Sequence, residues 1–166
     1  MSRERSTANW PRRHRDWTSG SGKLTYPSKE TDKAGVVRQR VATLPNGTIA
    51  KVLETNPQNT GFITGVYKLA EPTAPGDHIV AQVGLLKTTA AGAADKSTTT
   101  ATFQIKVNGQ IIQQATCGVG QFKKIDADLS LVKGATSIEV TVLMGTNPTA
   151  NTPVWQDLRL TPQMTR

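Results

Sequence analysis

The chain has 166 residues, a formal charge of +8, one cysteine and two histidines. That length suits one domain with an appendage, and a domain of ~140 residues buries roughly two thirds of its unfolded surface, enough to need no covalent or metal staples. Cys117 alone excludes an intramolecular disulfide, His14 and His78 are too few for the usual zinc or iron spacings, and no run approaches the ~18 apolar residues of a membrane span, so no metal, cofactor or membrane partner is expected.

Residues 1–23 hold six Lys or Arg (Arg3, Arg5, Arg12, Arg13, Arg15, Lys23) against Glu4 and Asp16, which puts half of the net charge there. The stretch has no helical or strand period, carries Pro11, and runs out in Ser19-Gly20-Ser21-Gly22. It reads as an extended basic N-terminal arm and hinge, leaving residues 24–166 as the folded domain. A solvated tail gains nothing by exposing Trp10 and Trp17, so the arm is expected to dock. Its candidate partner-binding residues are Arg3, Arg5, Trp10, Arg12, Arg13, Arg15 and Trp17. Protein ranks ahead of nucleic acid as the partner, because aromatic and Arg anchors are what protein interfaces are enriched in.

Ser28 to Gly35 has Ser at the N-cap position and Gly past the end of one helical turn. From Val36 the pattern is strand throughout. VVRQRVATL and TIAKVLE flank Pro45-Asn46-Gly47, a hairpin expected to set Val41 opposite Val52 and Leu44 opposite Ile49. Asn46-Gly47-Thr48 matches a glycosylation sequon but reads as the turn itself. Gly61 to Leu69 is a strand, Glu71 to Gly76 a loop, and Asp77 to Leu86 a strand with Ile79, Ala81, Val83 and Leu85 on one face. Residues 87–98 are small and polar, a surface loop.

Thr99 to Gly118 is the most strongly determined stretch. Phe103, Ile105 and Val107 alternate with Thr102, Gln104 and Lys106, and Asn108-Gly109 suits the positive φ that a type I′ turn demands at both central positions. A two-residue loop sets Val107 opposite Gln110, Ile105 opposite Ile112 and Phe103 opposite Gln114. Phe122 to Val132, Thr136 to Met144 and Val154 to Leu160 complete about nine short strands with no helix of three turns. The fold class is all-β: a jelly-roll-like antiparallel β-sandwich behind the basic arm.

The catalytic inventory is thin. No nucleophile has a base within its pattern, no phosphate-cradling Gly loop or calcium loop is present, and Asp126 and Asp128 share a strand face with Lys124 as a solvated group. No enzyme activity is expected. Cys117 reads as a small core residue.

Val83-Gly84-Leu85, Phe103 with Val107-Asn108-Gly109-Gln110, Ala127-Asp128-Leu129-Ser130 with Gly134, and Val154-Trp155-Gln156-Asp157-Leu158-Arg159-Leu160 together resemble the galactose-binding-like jelly-roll modules, especially the NPCBM type of carbohydrate-binding module. The resemblance spans roughly residues 60–161. It implies a two-sheet sandwich whose loops or concave face hold a glycan, with Trp155 the candidate glycan-binding residue and the loops around Lys87 to Thr98 and Gly145 to Pro153 the first places to look. The core is expected to claim most aromatics outside the arm, Trp155 among them. A sandwich with a basic aromatic arm also resembles, in architecture, the phage virion accessory proteins that decorate or cement a capsid. That implies a non-enzymatic structural protein made in the host cytoplasm and residing in the virion, in many copies, with capsid or other virion subunits as partners. A free carbohydrate-binding module and a nucleic-acid-binding structural protein are the alternatives.

Overall fold

The computed structural model describes residues 15–29, 31–58, 60–86, 99–132, 134–144 and 152–161. Its strands are β1 (Arg15–Ser19), β2 (Gly22–Lys23), β3 (Val36–Thr43), β4 (Ile49–Asn56), β5 (Phe62–Lys68), β6 (His78–Leu86), β7 (Thr100–Val107), β8 (Gln110–Gly118), β9 (Phe122–Asp128), β10 (Ser137–Met144) and β11 (Thr152–Thr161). They form two antiparallel sheets, one of six strands in the order β2-β1-β5-β10-β7-β8 and one of five in the order β3-β4-β11-β6-β9. The inner faces meet in one apolar core, as the alternation in β6, β7, β9 and β10 requires: Ile79, Ala81, Val83 and Leu85 lie opposite Phe103, Ile105, Val140 and Val142 in the same cluster. The fold is the expected all-β sandwich, and among the described residues there is no helix.

The arm boundary is corrected. Residues 15–23 are not an appendage: β1 pairs with β5 over Arg15↔Tyr67 to Ser19↔Ile63 and turns back into β2. Trp17 is 2% exposed. Its ring occupies the space above its cross-strand neighbour Gly65, where an added Cβ would come within 2.5 Å of it, and meets Tyr67 edge-on at 5.8 Å. The tryptophan does dock, but onto its own core. The Ser-Gly run is the β1–β2 turn, and the domain begins no later than Arg15.

Among the described residues from Ser28 to Gly35 there is no helix. Ser28 is buried, donates its hydroxyl to the Thr25 carbonyl and accepts the Val37 amide at 3.0 Å, while Asp32 bonds back to Lys29. Ser28 thus fastens the start of β3 instead of capping a helix.

Both hairpins differ from expectation by one residue. Asn108 (φ 53) and Gly109 (φ 78) do form the type I′ turn, and Val107 pairs with Gln110. A bulge then inserts Ile112, so Ile105 pairs with Gln113 and Phe103 with Ala115. The slip is what brings Ala115 and Cys117 to the core instead of Gln114 and Thr116. In the β3–β4 hairpin Val41 pairs with Lys51 and Thr43 with Ile49, not Val41 with Val52 or Leu44 with Ile49. Pro45 fixes φ near −65° and so starts a type I turn that Gly47 (φ 83) closes, making a three-residue loop in which the Leu44 amide donates to the Thr48 carbonyl at 2.8 Å. Thr48 donates its amide to the Asn46 side chain, so the sequon is a turn as read. Leu131 continues the alternation of Ile125, Ala127 and Leu129 in the sequence, but it lies past the end of β9 and is 97% exposed.

Candidate functional site

The outer face of the five-stranded sheet is where the chain departs most from regular strand geometry. Along β11, Trp155, Leu158 and Leu160 all point into the core, which a strict period of two cannot do. A bulge solves this: Gln156 pairs with Gln82 and Arg159 with Val80, so Asp157 and Leu158 together oppose the single Ala81. Asp157 takes the left-handed conformation (φ 61), which Asp tolerates better than most residues, and its side chain is thrown outward. Arg159 reaches back to the Asp157 carboxylate at 2.9 Å and its carbonyl at 3.1 Å, bracing the bulge.

The bulge opens a groove of about 220 Å³ lined by Val80, Ala81, Gln82, Lys124, Gln156, Asp157 and Arg159. Pockets that enclose drug-sized ligands run to ~300–1,000 Å³, so this one suits a single ring or the end of a chain. One rung crosses it: Gln156 on β11, Gln82 on β6 and Lys124 on β9 are successive cross-strand partners. None of the three side chains has a hydrogen bond or ion pair among the described residues.

The outer face of the six-stranded sheet supplies the contrast. There Gln104 donates to its partner Gln114 at 3.1 Å, Thr64 bonds Thr141 at 3.0 Å and Thr102 bonds Thr116 at 2.9 Å. These three cross-strand pairs satisfy one another. The rung Gln156, Gln82, Lys124 does not.

Two features flank the groove. On one side the Phe122 ring lies over Gly84, its cross-strand partner, where an added Cβ would come within 2.3 Å, and packs beside Val52, Leu86 and Val154. Arg38 and Arg40 converge on the buried Glu54 carboxylate at 2.6 and 3.4 Å. On the other side His78 lies between Asp126, at 2.6 Å from Nδ1, and Asp128, at 3.9 Å from Nε2. Hydrogen bonds from the Ser130 hydroxyl and then its amide hold the Asp128 carboxyl below the ordinary carboxylate value, with a smaller contribution from His78. No group of three His, Cys, Asp or Glu side chains among the described residues is arranged to hold a metal ion.

Of the site residues singled out in the sequence, Arg15, Trp17 and Trp155 are described, and none of them lines this groove. Trp155 is 1% exposed, donates its indole N–H to Thr55 Oγ1 at 3.2 Å and meets Phe103 edge-on at 5.2 Å. It is a core residue and cannot serve as a sugar platform. Trp17 is likewise in the core, and Arg15 begins β1. Arg3, Arg5, Trp10, Arg12 and Arg13 lie outside the described residues, as do residues 87–98 and 145–151, where loops were expected. Cys117 is buried with its thiol on the Val83 carbonyl, and burial raises its pKa against the opposing pull of Lys123. Gln82, Gln156 and Asp157 were not singled out as site residues. The signal for them was the phase break from Trp155 to Leu158.

The sequence matches no family model and no curated protein. Solved structures do match the fold. The tandem CBM51 modules of Sp3GH98, the family 98 glycoside hydrolase from Streptococcus pneumoniae SP3-BS71, superpose with a TM-score of 0.59 at 15% identity, over 81% of this chain and 43% of theirs. The CBM51-2 and INT domains of Clostridium perfringens ZmpB, in complex with GlcNAc, give 0.52 at 16% identity over 88% and 31%. The chain has their fold. An exo-beta-agarase gives 0.51 at 11% identity, over 80% of this chain and 23% of that one. The chain therefore spans less than half the length of each of these neighbours. The resemblance to carbohydrate-binding modules holds for the fold, and nothing in the comparisons supports the virion setting.

Proposed function

We propose that the chain is a carbohydrate-binding module that contacts its glycan on the outer face of the five-stranded sheet. The observation that carries this reading is the rung Gln156, Gln82, Lys124, three polar side chains left without partners in a groove among the described residues, while the cross-strand glutamines Gln104 and Gln114 on the opposite face are bonded to each other. Sugar hydroxyls both donate and accept, and a primary amide does the same, so two adjacent Gln side chains fit one ring edge. Hydrogen bonds to such ready groups cost the protein little, because none of its internal bonds has to break. The bulge at Asp157 gives the concavity, and its Arg159 brace holds the shape before any ligand arrives. The complex of one neighbour with GlcNAc supports glycans as the ligand class for this fold.

The test is a glycan array probed with the wild-type protein, the Gln82→Ala, Gln156→Ala double variant and the Gln104→Ala, Gln114→Ala double variant. The wild type and the second variant are expected to give the same specific hits, and the first to lose them with its circular dichroism unchanged. Hits retained by the first variant, or no hits from the wild type, would overturn the reading.

A further inference from the structure

We infer that the glycan taken by this groove carries an anionic substituent, a carboxylate or a sulfate, seated on Lys124. The inference rests on the groove being the glycan contact and specifies what kind of glycan it takes. Each other basic side chain of the face among the described residues already has a partner. Arg38 and Arg40 share Glu54 at 2.6 and 3.4 Å, Arg159 holds Asp157 at 2.9 Å, and His78 bonds Asp126 at 2.6 Å. The Lys124 ammonium has no such partner among the described residues, although Asp126 follows it by two positions on the same strand face. Within the groove lining, Asp157 and Arg159 cancel, so Lys124 leaves one positive charge unbalanced.

A neutral sugar would find poor use for this arrangement. Among the described residues the aromatic at the rim is Phe122, which is half-buried over Gly84 and offers a neutral ring little open face to stack on. An anionic group has what it needs: an ammonium with three donors, and beside it the amide N–H of Gln82, the cross-strand partner of Lys124. Bonds from a cation to an anionic oxygen are about twice as strong as neutral ones.

The experiment is an array that pairs each neutral oligosaccharide core with its uronic, sialylated and sulfated derivatives, followed by calorimetry on the best pair at two salt concentrations. The acidic member is expected to bind about tenfold more tightly than its neutral core, with the advantage shrinking in salt. Lys124→Gln should bring the acidic member down to the neutral level while Lys124→Arg keeps the preference. The uronic and sulfated arms tell carboxylate from sulfate. If neutral cores bind as well as their derivatives, or Lys124→Gln leaves the preference intact, the inference is overturned; the groove remains the glycan contact if Gln82→Ala still removes binding. If no member binds, both fall.

Discussion

Trp155 is held at three points: the Phe103 ring at its edge, Thr55 on its N–H, and the Leu53 backbone across the ladder. Replacing Thr55 by Val keeps the volume but leaves a buried indole N–H unpaired, which costs about 1–3 kcal/mol. Phe103→Ala opens a cavity at a fully buried ring and costs about 3–5 kcal/mol. Urea unfolding should rank the two in that order; a Phe103→Ala loss below ~1 kcal/mol would contradict its placement. At the groove margin, Ser130 is the main reason the Asp128 carboxyl titrates low. Because the folded-state pKa is depressed, the interaction stabilises the fold above the ordinary carboxylate range and is lost as pH falls through the folded value. Ser130→Ala should raise the Asp128 pKa, read by side-chain carboxyl NMR shifts. An unchanged titration would remove Ser130 as the cause.

At the scale of elements, truncation separates β1 from what precedes it. Deleting residues 1–23 removes β1, β2 and the Trp17 ring, uncovering Gly65 and the inner face of β5, so stability should fall by at least the ~3–5 kcal/mol of losing one buried Trp. Deleting residues 1–14 leaves that strand in place and should cost far less. Equal melting temperatures for the two truncations would mean that β1 does not belong to the core. Trp17→Phe should cost less than Trp17→Ala, since it keeps a ring over Gly65 and removes an N–H that has no hydrogen-bond partner where it is buried.

The same elements show what was legible in the chain. All nine strands from Val36 onward follow from alternation and turn residues, and the Asn108-Gly109 turn from the positive φ it requires. What escaped were departures from period two. The Ile112 bulge and the Asp157 bulge each betray themselves only as a three-residue step between inward residues, from Ile112 to Ala115 and from Trp155 to Leu158. Strand β1 escaped because its five residues carry one core side chain, and that side chain's place is set by a glycine 48 positions away. The candidate groove was illegible for a related reason. Its polar rung is assembled from three strands, and nothing local in Gln82, Lys124 or Gln156 says that they are neighbours.

Taken whole, the molecule has two outer faces with opposite characters. On the six-stranded face the pairs Gln104–Gln114, Thr64–Thr141 and Thr102–Thr116 satisfy each other, and the five-stranded face carries the bulge, the groove and the unpaired rung. That asymmetry is the central claim, and side-chain amide NMR reads it directly. In a titration with the strongest array ligand, the NH₂ signals of Gln82 and Gln156 are expected to shift while those of Gln104 and Gln114 stay in place. Shifts confined to Gln104 and Gln114, or to backbone amides of residues 87–98 and 145–151 with Gln82 and Gln156 unmoved, would contradict it.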